Sequence, residues 1–139
     1  MSRPRHGLDT DVPISACRTF RHGVCSPPVV VGPDAPAALV EVKPGPPLGF
    51  DHHIPRFSVR VPLPPGSVLV AYTDGLIERR GKSLDDGLAL LCRAAHARHP
   101  EQVCFEVMDT LVGRHAPEED IAVLVLHRYS IDKAAGRTP

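Results

Sequence analysis

A chain of 139 residues, 42% hydrophobic and 23% charged, has the balance of one globular domain and is long enough to bury a true core. Sixteen Lys and Arg against sixteen Asp and Glu give a formal charge of zero, and aromatic residues at 4% with no Trp offer no stacking platform, so neither nucleic acid nor an anionic membrane is an expected partner. The cysteines Cys17, Cys25, Cys92 and Cys104 form no CxxC pair and no Cys–His zinc spacing, and neither a signal peptide nor a bilayer-length apolar run is found, which makes a reduced, cytoplasmic setting the expectation.

Residues 1–21 show no period and read as a poorly ordered lead-in. The sixteen prolines are about twice the usual share, and most fall between Pro27 and Pro65, so this stretch reads as strands joined by rigid loops. Pro27–Val31 and Ala38–Val42 flank the turn cluster Gly32–Pro36 and suggest a hairpin. Phe57–Val61 alternates at period two, as a half-buried strand does, and Ser67–Tyr72 is nearly all apolar, as a strand covered on both faces would be. Two helices are predicted next. Ser83 is the N-cap of the first, with Asp85 and Asp86 in its first turn and Leu84, Leu88, Leu91 and Ala95 at helical spacing. Pro100 starts the second, whose stripe is Val103, Val107 and Leu111, and Gly113 is its C-cap. Cys92 and Cys104 fall on the apolar faces as small core residues. Ile121–Leu126 is a final core strand, and 130–139 a tail. Strands grouped before helices indicate an α+β fold, a mainly antiparallel sheet with two helices packed on one face.

Chemistry concentrates at two acidic loops. Asp74 ends a core strand at Thr73-Asp74-Gly75, and Glu118-Glu119-Asp120 precede another. If those strands are antiparallel neighbours, the loops share one edge of the sheet. Converging carboxylates repel one another unless a cation lies between them, and an all-oxygen set suits Mg²⁺ or Mn²⁺ rather than zinc or copper. Solvated acidic turns are the competing reading. His52-His53 could also bind metal, but neighbours on an extended segment point to opposite faces. His96 and His99 read as solvent-facing residues beside a helix end. No G-x-S-x-G or G-x-x-x-x-G-K motif is present.

Three segments together, Leu69–Arg79 (LVAYTDGLIER), Lys82–Leu88 (KSLDDGL) and Glu119–Val125 (EDIAVLV), resemble the C-terminal half of bacterial PPM-type (metal-dependent) serine/threonine protein phosphatases of the stage II sporulation protein E class. Pro27–Val31 and Gly45–Gly49 extend the likeness, which spans about residues 20–128. The resemblance implies part of a PPM β-sandwich within residues 22–129 and a site for Mn²⁺ or Mg²⁺ (two ions in the family), which acidify a shared water for attack on a phosphoserine or phosphothreonine. It assigns Asp74, Gly75, Glu119 and Asp120 to the metal site: Asp74 and Glu119 at ligand positions, Gly75 shaping the turn, Asp120 just after. No catalytic side chain is implied beyond the metal-activated water. Its partners would be a phosphoprotein, such as an anti-sigma-factor antagonist.

Three departures bear on activity. The family's N-terminal half, with its own Asp-Gly motifs, has no counterpart, its Ala-Gly-His-Pro-Pro segment stands here as Gly23–Pro28 (GVCSPP), and Glu119 replaces the usual Asp. The chain is therefore expected to be a portion of a longer phosphatase and a poor catalyst alone. A catalytically inactive module that binds a regulatory phosphoprotein is the alternative. A half-sandwich would also leave one sheet face open to self-association.

Overall fold

Valine alternation builds the central sheet. The computed structural model describes residues 11–14, 26–47, 49–117 and 119–129. Strands β2 (Val29–Val31), β3 (Ala38–Leu39), β5 (Val68–Tyr72) and β6 (Val123–His127) form one antiparallel sheet in the order β3-β2-β5-β6. Register places Val29 opposite Val70, Val31 opposite Val68, and Val70 opposite Val125, so these valines share a face. Helices α1 (Leu84–Ala94) and α2 (Pro100–Leu111) belong with that face: Val29, Val68, Val70, Leu91, Val103 and Val107 are all fully buried in one cluster. Ser83 caps α1 as expected, its Oγ accepting from Asp86 N at 3.1 Å. Gly113, at φ 58°, ends α2 by donating to the Met108 carbonyl, a left-handed position that favours glycine.

The other face of the sheet differs from expectation. β5 is not equally covered on both sides: Val68 and Val70 are buried, while the outward Leu69 and Ala71 are half-buried. On β6 the same outward row carries Leu124 and Leu126, 64% and 46% exposed. The run of β5 mimics a strand buried on both faces because its outward residues are also aliphatic.

A second, two-stranded sheet pairs β1 (Asp11–Ile14) with β4 (Val59–Pro62). β1 lies inside residues 1–21, expected to be a poorly ordered lead-in; Pro13 and the lack of alternation in Asp-Val-Pro-Ile hide it, and pairing with β4 supplies what propensity does not. Val61 packs with Val40 and Val42 against Ile14, Val30 and Val59, so among the described residues this layer meets the outward face at Val30. The expected strand Ala38–Val42 keeps ladder pairing only at Ala38–Leu39. Cys17, Cys25, Glu118, the start of the Gly23–Pro28 segment and the 130–139 tail lie outside the described residues.

Candidate metal centre

The end of β5 and the approach to β6 are tied together by backbone and by Thr73. Thr73 N donates to the Ala122 carbonyl at 3.0 Å, Ala122 N donates to Thr73 Oγ1 at 2.9 Å, and Thr73 Oγ1 donates to the Asp120 carbonyl at 3.4 Å. After Thr73 the chain enters a single 3₁₀ turn, Asp74–Leu76, rather than a loop. Ile77 N and Glu78 N both donate to the Asp74 carbonyl at 2.9 Å, and Gly75 N donates to Asp74 Oδ1 at 3.0 Å. Helical winding places residues four apart on one side, which is why Glu78 comes round beside Asp74.

Carboxylate oxygens of Asp74, Glu78 and Glu119 all lie within 4.8 Å of one another. Asp74 and Glu78 are half-buried and Glu119 is exposed. The two acidic loops thus meet, as expected if β5 and β6 are antiparallel neighbours. Glu78 is the member that sequence reasoning missed; the Asp-Gly-Leu-Ile-Glu spacing of four was visible, but only a helical turn makes it meaningful. Asp120 contributes its backbone carbonyl to Thr73 and does not join the carboxylate group.

Gly75 is required for space rather than, as the resemblance implies, for shaping the turn. Its φ is not positive, so the turn itself does not demand glycine. Space does: a Cβ there would lie 2.8 Å from the Asp120 carbonyl oxygen and 3.2 Å from Glu119 Cβ. Gly75 is where the two loops touch, and it holds no ligand side chain. Gly87 does the same on the opposite flank, where a Cβ would sit 2.5 Å from the Ile77 carbonyl oxygen, bringing α1 directly onto the turn that carries Asp74 and Glu78.

Three oxygen donors from two loops fit a hard divalent cation. Beside them, Glu78 and Glu119 share a cleft of about 390 Å³ with Arg79, Arg80, Lys82 and Leu84. Carboxylates therefore adjoin three cationic side chains, an arrangement suited to an anion that itself bridges to a metal.

The family description Stage II sporulation protein E (SpoIIE) matches residues 16–129. The chain belongs to the SpoIIE family. Solved structures agree. The RsbU and RsbW domains of Rv1364c from Mycobacterium tuberculosis align at 29% identity and TM-score 0.63, over 75% of this chain and 31% of that one. The phosphatase domain of the cell-fate determinant SpoIIE from Bacillus subtilis, presoaked with Mn, aligns at 16% identity and TM-score 0.60, over 93% of this chain and 60% of that one. A second structure of that domain aligns at TM-score 0.51. The SpoIIE comparisons establish the fold, a mixed α+β arrangement of mostly antiparallel strands that corresponds to part of a PPM phosphatase domain. The chain spans less than two-thirds of each of these relatives. No curated protein matches it. Among the described residues, no helix is long and apolar enough to cross a membrane.

Proposed function

We propose that this SpoIIE-family chain supplies the C-terminal part of a metal-dependent phosphoserine/phosphothreonine phosphatase centre acting in the cytoplasm, with Asp74, Glu78 and Glu119 holding Mn²⁺ or Mg²⁺. The observation that carries this reading is the convergence of those three carboxylates at one sheet edge. A divalent cation held there would acidify a water and offset phosphate charge. The residues' own parts are distinct. Asp74 is oriented by the Gly75 N–H on Oδ1, which leaves its other oxygen for the cation. Glu119 is set by the Thr73–Ala122 latch three residues beyond it. Arg79, Arg80 and Lys82, which line the cleft beside Glu78 and Glu119, would draw a phosphoprotein's phosphate toward the carboxylates.

The test is manganese-dependent hydrolysis of p-nitrophenyl phosphate by the chain and by Asp74→Asn. Hydrolysis that needs Mn²⁺ and is lost in the variant supports the enzyme; turnover indifferent to Mn²⁺ or to Asp74 rejects it. A second reading, a binding module for a regulatory phosphoprotein such as an anti-sigma-factor antagonist, draws on the relative that combines RsbU and RsbW domains and on the partial span of the chain. Binding of a phosphorylated partner without turnover would favour it.

A further inference from the structure

The His52-His53 pair stands apart from this centre. On an extended segment the two rings would diverge, but the segment is not extended. Phe50 N donates to the Pro47 carbonyl at 3.3 Å, Arg56 Nη2 donates to the same carbonyl at 2.8 Å, and His53 N donates to Asp51 Oδ1 at 2.8 Å. The resulting turn brings both rings to one side, their centroids 3.9 Å apart and their planes tilted by 40°. One ring nitrogen from each His and a carboxylate oxygen of Asp51 lie within 4.8 Å of one another, all on exposed side chains.

We infer that Asp51, His52 and His53 form a second cation site, selective for a borderline transition-metal ion of the Zn²⁺, Ni²⁺ or Cu²⁺ class. Two neutral imidazoles with one carboxylate suit such ions, whereas Mg²⁺ and Ca²⁺ prefer oxygen throughout. The contrast with Asp74, Glu78 and Glu119, an oxygen-only set, separates the two sites by metal chemistry. Asp51 Oδ1 accepts the His53 N–H, which fixes the carboxylate beside the rings while leaving acceptor capacity for a metal. Zinc arms of about 2.0–2.2 Å require the donor atoms to close to roughly 3.3–3.5 Å, a movement of the order of 1 Å that exposed side chains on a turn can make. Three protein donors leave a fourth position for water, so the site is open rather than a sealed structural one.

The test titrates the full chain with ZnCl₂ by calorimetry, with circular dichroism to verify the fold of each variant. The expected result is a zinc equivalent that disappears in the His52→Ala/His53→Ala double variant and binds about tenfold more weakly in each single variant. Asp51→Asn can still accept the His53 N–H, so it keeps the turn while losing the anionic ligand, and a several-fold weakening is expected. Asp74→Asn should retain this zinc, which keeps the outcome separate from that of the phosphatase reading. Zinc-induced shifts of the His52 and His53 imidazole NMR signals give an independent readout. Equal zinc stoichiometry and affinity in the wild-type chain and the double variant, or no zinc uptake by the wild-type chain, would overturn the inference.

Discussion

The two donor clusters of this protein are assembled in opposite ways. Asp74 and Glu78 meet Glu119 across some forty residues of intervening chain, and their geometry exists only because Thr73, Gly75 and Ala122 hold two loops in contact. Asp51, His52 and His53 are consecutive and need only one local turn. The first cluster is a property of the fold, the second a property of a loop. Affinity for metal at the first should therefore rise and fall with the packing of distant loops, while the second should depend on its own turn.

The largest effect is expected from Gly75→Val. Its side chain must push the Asp120 carbonyl and Glu119 apart, so manganese binding by calorimetry should vanish and urea unfolding should report a loss of about 1–3 kcal/mol. Preserved manganese affinity would show that close approach of the loops does not set the centre. Asp74→Asn comes next, with manganese bound about 100-fold more weakly, a difference of about 2.8 kcal/mol, and little change in melting temperature. Thr73→Val removes the acceptor of the Ala122 N–H and the donor to the Asp120 carbonyl. A cost of about 1 kcal/mol with manganese weakened about tenfold is expected by the same two methods. The smallest effect on stability belongs to Leu124→Glu with Leu126→Lys. These exposed positions should change stability by no more than about 0.5 kcal/mol, yet light scattering should show a self-associating wild-type chain become monomeric.

Much of the fold was legible because its signals are local. Ser83, Pro100 and Gly113 marked helix ends through backbone chemistry that holds in any context, and the antiparallel α+β class followed from element order. The meeting of Asp74 with Glu119 was legible once β5 and β6 were taken as neighbours, which register then showed. What escaped depended on partners. β1 becomes a strand by pairing with β4, not through its own residues. Glu78 joins the cluster because the chain winds after Thr73, a choice the sequence Asp-Gly-Leu leaves open. The His52 and His53 rings share a side because Asp51 bends the backbone between them. Gly75 looked like a turn former and proved to be a space maker.

The composition of β6 has a consequence for how the centre is kept in place. Val123-Leu-Val-Leu126 has no polar side to distinguish one face from the other, so its side chains alone would resist a one-residue slip against β5 only weakly. Such a slip would carry Glu119 about 3.4 Å from Asp74, far enough to dissolve the cluster. The strand is instead pinned at both extremities, by Thr73 with Ala122 at one and by Gly66 and Ser67 with Arg128 at the other, where Gly66 N donates to the Arg128 carbonyl at 2.6 Å and Arg128 N to the Ser67 carbonyl at 2.9 Å. Alignment of the three carboxylates is thus governed by hydrogen-bonded fasteners lying at the ends of an otherwise slippery ribbon.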